Sequence, residues 1–170
     1  MTANTVRKEE FYMRILVFSD SHKDIRRAAA VIRNIVGVDM VLHAGDHASD
    51  AAELARGFPD IDFRYVCGNC DFSAAPGELI IDADGKKIFL THGHEYAVKY
   101  EYDYRTLLHK AEELGCDCAV FGHTHEGYND ATHGVVLLNP GSIKYGATYG
   151  IIEIENGILK TAVCDAAHLI

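Results

Sequence analysis

The chain has 170 residues, 48% of them hydrophobic and 24% charged, with a formal net charge of −9 when histidine is neutral. That length supports one domain with a core of its own. The acidic balance, with no basic stripe, disfavours long nucleic acid as a partner, because such binding rests on neutralising phosphates. No apolar run reaches the roughly 20 residues that span a bilayer. The polar, charged start does not read as a secretory signal, and five cysteines, an odd number, argue against a disulfide framework. A cytoplasmic protein without a membrane partner is the expectation, and a homo-oligomer is compatible with it.

Residues 1–12 read as a flexible tail and 13–170 as a single domain, with Met13 an alternative start. Residues 14–18 are β-branched and aromatic, hence a buried strand, and run into Ser19-Asp20-Ser21-His22. Asp24 is placed to cap a helix whose apolar face is Ile25, Ala28, Ala29, Ile32, Ile35 and Val36, stopped by Gly37. Residues 39–42 form a second strand, ending at His43-Ala44-Gly45-Asp46, and 49–56 a short helix closed by Gly57 and Pro59.

A third strand over 61–66 ends at Cys67-Gly68-Asn69-Cys70-Asp71. The Asp84-Gly85 pair between apolar runs 78–82 and 86–90 is a hairpin signal, and the second arm ends at Thr91-His92-Gly93-His94. A helix is predicted over 104–114. The short run Cys118-Ala119-Val120-Phe121 then delivers Gly122-His123-Thr124-His125. Strands near 135–138, 149–154 and 158–163 are separated by Asn139-Pro140-Gly141-Ser142 and Asn156-Gly157. Strand and helix alternate in the first half and hairpins dominate the second, so the expected class is α/β, with mixed sheets in a sandwich.

Five apolar runs thus end in polar chemistry: Asp20 and His22, Asp46, Asn69, His92, and His123 with His125. Open α/β sheets bind ligands beyond the carboxyl ends of their strands, so one crevice can collect all seven side chains. Glycine precedes three of them, at Gly45, Gly68 and Gly122, where sharp turns are expected. Aspartate and imidazole donors suit borderline divalent metals. Seven ligands exceed one tetrahedral zinc and suit two ions about 3.5–4 Å apart that share a carboxylate, activate water and clamp a phosphoryl group.

The ordered blocks Asp20-x-His22, Gly45-Asp46, Gly68-Asn69, Thr91-His92 and Gly122-His123-Thr124-His125 resemble the signature of the calcineurin-like metallophosphoesterases. The resemblance is to the small single-domain, YfcE-like phosphodiesterase branch, and Asn139-Pro140-Gly141-Ser142 matches a loop of that branch. It implies two packed mixed sheets flanked by helices, a four-layer αββα sandwich. It also implies two divalent ions, manganese foremost, with iron, zinc, nickel or cobalt as alternatives. Asp20, His22 and His125 would hold the first ion, Asn69, His92 and His123 the second, and Asp46 would bridge them. The implied activity is hydrolysis of a small phosphate ester, most simply a diester, by a metal-bridging hydroxide.

One position departs from that pattern. Cys70 stands where many relatives carry the histidine thought to protonate the leaving group, so Cys70, Asp71 and His94 are the candidates for proton transfer or substrate orientation. A rival of another class is a non-catalytic scaffold of the same fold, as in the retromer subunit; the complete ligand set favours catalysis. Cys67-Gly68-Asn69-Cys70 also fits a redox Cys-x-x-Cys, and Cys116 with Cys118 would be needed for a four-cysteine zinc site. Tyr96, Tyr100, Tyr102 and Tyr104 form either a partly buried surface segment or an aromatic rim for a nucleobase or aryl group.

Overall fold

The structure, a computed structural model, describes residues 12–169. The expected tail therefore lies outside the described residues, except for Tyr12, which opens the first strand. Two five-stranded mixed sheets stack face to face.

The first sheet contains β1 (Tyr12–Phe18), β2 (Met40–His43), β3 (Asp62–Tyr65), β9 (Thr148–Glu155) and β10 (Ile158–Asp165). Its order is β10-β9-β1-β2-β3, with β1, β2 and β3 parallel. The second contains β4 (Glu78–Ala83), β5 (Lys86–Thr91), β6 (Cys118–Val120), β7 (Gly127–Asp130) and β8 (Val136–Pro140). Its order is β4-β5-β6-β8-β7, with β5, β6 and β8 parallel.

The alternation of side chains builds the layers. Ile15 and Val17 of β1, with Leu42 of β2, face the second sheet, where they join Ile88, Leu90, Val120 and Leu138. Leu16 and Phe18 face the other way, against α1 (Arg26–Asn34) and α2 (Ala48–Gly57). On the second sheet Phe89, Ala119 and Leu137 face α3 (Arg105–Glu113). Strands buried on both faces need the continuous apolar runs seen in the sequence. Each wholly buried leucine or isoleucine contributes about 1.5–3 kcal/mol, so Leu90→Ala, which also leaves a cavity, would cost about 2–5 kcal/mol.

The expected αββα sandwich is therefore the fold, with local corrections. The first helix stops at Asn34, and Val36, assigned to its apolar face, is 84% exposed. Its N-cap residue is Ile25 with no side-chain cap; Asp24 accepts the Arg26 N–H at 3.2 Å and pairs with the Arg26 guanidinium. Asn139 and Pro140 are the last residues of β8 and not a turn. Strand β7 was not expected, because Gly-Tyr-Asn-Asp is poor in β-formers; it is an edge strand held by its ladder to β8. Among the described residues no helix is long and apolar enough to cross a membrane.

Candidate metal centre

The six parallel strands carry the chemistry at or just beyond their carboxyl ends. Asp20 and His22 follow β1, Asp46 follows β2, and Asn69 lies in the loop after β3. His92 follows β5, His123 and His125 follow β6, and Asn139 and Ser142 lie at and beyond the end of β8. Five of the seven expected ligands sit at positive φ: Asp20 at 53°, His22 at 43°, Asp46 at 47°, His123 at 70° and His125 at 63°. Each such non-glycine residue costs on the order of 1 kcal/mol or more, a strain that surrounding structure must hold.

The glycines serve a different purpose from the one the sequence suggested at two of three positions. Gly45 does take a left-handed turn, at φ 97°. Gly68 and Gly122 do not; they permit close approach. A Cβ at Gly68 would lie 1.9 Å from Asp46 Oδ1, and one at Gly122 would lie 2.0 Å from Ser19 Oγ and 2.7 Å from Asp20 Oδ2. The ligand-bearing loops are packed against one another with no room for a methyl group.

Asp20 is the centre of the arrangement. Its Oδ2 accepts the Ser19 hydroxyl at 2.6 Å and the His123 N–H at 3.1 Å. Its Oδ1 is buried and has no hydrogen-bond partner. That orphan oxygen stands 3.2 Å from His125 Nε2, 3.7 Å from His22 Nε2 and 4.0 Å from His92 Nε2. The His22 and His125 Nε2 atoms are themselves 3.3 Å apart. Two groups of ligating atoms result, Asp20 with His22 and His125, and Asp20 with Asp46 and His92. Asp20 is common to both groups, and Asp46, the expected bridge, falls in the second.

Around the second group, His92 Nε2 lies 3.4 Å from Asp46 Oδ2, 3.0 Å from Asn69 Oδ1 and 3.1 Å from His123 Nδ1. The other ring nitrogen, Nδ1, donates to the Ala44 carbonyl at 2.7 Å, which aims Nε2 inward. Burial alone would lower the His92 pKa, but the Asp46 hydrogen bond and the Asp20 and Asp46 charges outweigh it and raise it. Burial and the charges of His92 and Lys99 push His123 down to about 4. Burial works against ionised Asp46, yet its bonds to His92 and to the Cys70 N–H hold it well below the usual carboxylate range. Carboxylate, amide and imidazole ligating atoms crowded together in this way are what a cation relieves. The donor set fits two divalent ions.

The proton-transfer candidates separate. Asp71 is committed to the backbone: its Oδ2 accepts the N–H of Gly68 at 2.7 Å and of Asp46 at 3.2 Å, and its Oδ1 that of Ala48 at 2.8 Å. It positions the loops of Asp46 and Asn69. Cys70 is exposed beside Asn69, and partial desolvation of its thiol, together with the nearby Asp46 carboxylate, raises its pKa. His94 is exposed at the rim, its ring 5.5 Å from that of His92 and 6.1 Å from that of His123. The cysteines make no four-cysteine group: Cys118 is sealed in the inter-sheet core while Cys70 is exposed, and among the described residues no candidate metal group contains cysteine.

Several residues outside the expected site set support it. Asn139 Nδ2 donates to the Gly122 carbonyl at 3.1 Å and to Thr124 Oγ1 at 3.0 Å, and Ser142 Oγ donates to the Asp20 carbonyl at 2.8 Å. The Asn139–Ser142 stretch thus ties the β1 and β6 loops together. His43 Nδ1 accepts the Gly45 N–H at 3.2 Å, so its Nε2 carries the proton and donates to Ser21 Oγ, which donates to Asp50 at 2.6 Å. Tyr145 stacks on His125 at 5.6 Å and 19°. Asn139 and Ser142 lie in the loop that the family resemblance marks, without a role; for the others the only signal is their place at or near strand ends.

With this geometry, the chain belongs to the calcineurin-like phosphoesterase superfamily, whose domain model matches residues 13–157. It is 34% identical to a probable metallophosphoesterase, YsnB, of Bacillus subtilis over 91% of this chain and 92% of that one. It is 31% identical to a phosphodiesterase of Methanocaldococcus jannaschii over 88% and 93%. Among solved structures, a predicted phosphoesterase from Streptococcus pneumoniae superposes with a TM-score of 0.76 at 29% identity, covering 92% and 91%. Vacuolar Protein Sorting 29 of Cryptosporidium parvum superposes at 0.70 with 18% identity, covering 91% and 97%, a likeness of fold alone.

Proposed function

We propose that this chain hydrolyses small phosphate diesters at a centre of two divalent cations, manganese foremost. The observation that carries the reading is Asp20 Oδ1, a buried carboxylate oxygen without a donor, within 4.0 Å of three imidazole nitrogens. Asp20, His22 and His125 would hold one ion and Asn69, His92 and His123 the other, with Asp46 beside the second group. When bound, such ions stabilise charge on phosphoryl oxygens and acidify water.

The chain's own residues supply the rest. His92 and Asp20 are oriented by Ala44, Ser19 and the His123 N–H, so no reorganisation is needed as charge develops. The Cys70 thiol, kept protonated at neutral pH, can give its proton to a departing alkoxide, though a thiol is a weaker acid than imidazolium for that task. His94 stands where it can orient a phosphate or ester oxygen. The weak acid at position 70 supports a preference for diesters with good leaving groups, as does the kinship with a phosphodiesterase.

The test is turnover of an aryl phosphodiester by the purified chain with Mn²⁺, alongside Asp46→Asn. Turnover that collapses in the variant is expected. No turnover across manganese, iron, zinc, cobalt and nickel would transfer the chain to the scaffold reading.

A further inference from the structure

The segment after His92 folds back beside the site and opens a cavity of about 440 Å³, within the range of small-molecule sites. Val98 and Tyr104 are the buried part of its wall. Tyr104 is fixed by edge contacts to Phe121 at 4.8 Å and Tyr128 at 4.7 Å. Above them Tyr100 is 88% exposed and Tyr102 102% exposed, two free rings on the same cavity. Single exposed apolar residues are common, but adjacent free aromatics over a concave, partly aromatic wall are a binding feature.

The cavity joins the metal centre through two elements. Thr124, on its wall, lies between His123 and His125 and is held by Asn139. Val98 packs against Gly93, where a Cβ would come within 3.1 Å of it, so the tyrosine segment is anchored one residue from His92. Lys99 also lines the cavity, near enough to His123 for its charge to bear on that imidazole. The remaining charged residues of the wall are Glu101, engaged by Thr106, and Glu126. Two carboxylates against one lysine disfavour a second phosphate in this cavity and favour an uncharged group.

We infer that the cavity is the subsite for the non-phosphoryl part of the substrate, and that it takes a planar heteroaromatic group, a nucleobase, stacked on Tyr100 or Tyr102 beside a phosphate at the metal centre. The inference rests on the phosphoesterase reading for the position of that phosphate. Stacking of a base on an aromatic side chain contributes on the order of tenfold or more in affinity.

The test is calorimetric binding of adenosine 5′-monophosphate and of methyl phosphate to the manganese-loaded chain, wild type and Tyr100→Ala/Tyr102→Ala. Both tyrosines are exposed, and unchanged circular dichroism checks the fold of the variant. The expected result is tighter binding of the nucleotide by on the order of tenfold or more, with that ratio falling about tenfold in the double variant. Wild-type affinities within twofold of each other, a ratio unchanged by the double substitution, or failure of wild type to bind either ligand would each overturn the subsite. Nucleotide selectivity that depends on the tyrosines, in a chain that turns over no diester, would establish the subsite and sink the phosphodiesterase reading instead.

Discussion

The carboxylate of Asp71 accepts the N–H of Gly68 at 2.7 Å, and through that bond the loop bearing Asn69 is fixed to the loop bearing Asp46. One side chain satisfies three backbone donors, at Gly68, Asp46 and Ala48. Asp71→Ala would leave them without their carboxylate, at a cost of about 3 kcal/mol, since hydrogen bonds to a charged group are worth about 1.5–3 kcal/mol each and are not additive. Urea unfolding should show that loss, with weaker manganese binding alongside. A variant as stable as wild type that had lost only the acid limb of its pH–rate profile would instead make Asp71 a proton donor.

The two imidazoles of the β6 loop belong to different groups: His125 faces Asp20 and His22, and His123 faces His92. His125→Ala should weaken the first ion by at least about tenfold and His123→Ala the second, since even outer partners of metal ligands carry about 10–100-fold. Two-site manganese titrations read this directly. Equal weakening of both ions by each variant would contradict the division.

Cys70→His restores an imidazole beside Asn69 and the phosphoryl site. It should raise turnover of alkyl monoesters more than that of activated aryl diesters, by about tenfold or more in the ratio, because general acid catalysis is worth about 10²–10⁴-fold where the leaving group is poor. The measurement is kcat/KM for both substrates in both proteins. An unchanged ratio removes Cys70 from the leaving-group side.

His43 is buried and neutral, and burial holds its pKa down at about 4. The sign follows from linkage. Below its ordinary value near 6.5 the unfolded chain takes up a proton that the folded chain refuses, so stability falls as pH drops from about 6.5 towards 4. Between pH 7 and pH 5, in EDTA, wild type should lose about 2 kcal/mol more than His43→Gln by urea unfolding. Parallel pH profiles would show that His43 is not the group responsible.

Legibility in the sequence followed chain-local physics. Apolar runs, Asp84-Gly85 and Asn156-Gly157 with positive φ at all four residues, and the ordered ligand blocks each depend on a few neighbouring residues, and each located its element. What escaped depends on contacts between distant loops. Gly68 and Gly122 are glycines because Asp46 and Ser19 press on them, and no local turn chemistry reveals that. Asp71 looks like an acid in an active-site motif until its three backbone partners are seen. Strand β7 exists through pairing with β8, and the Ser21–His43–Asp50 chain joins three elements. The sharing of Asp20 by both ligating groups is likewise a property of converging strand ends.

That sharing is tested most directly by counting ions. Manganese bound per chain would be measured by mass spectrometry after desalting, in wild type, Asp46→Asn and Asp20→Asn. The amide at position 20 can still accept the His123 N–H but presents an NH₂ to the point where both groups meet. The expected result is two ions in wild type, retention of the His22–His125 ion in Asp46→Asn, and neither ion in Asp20→Asn. A folded Asp20→Asn chain that keeps a full equivalent of manganese would contradict a centre closed on one common carboxylate.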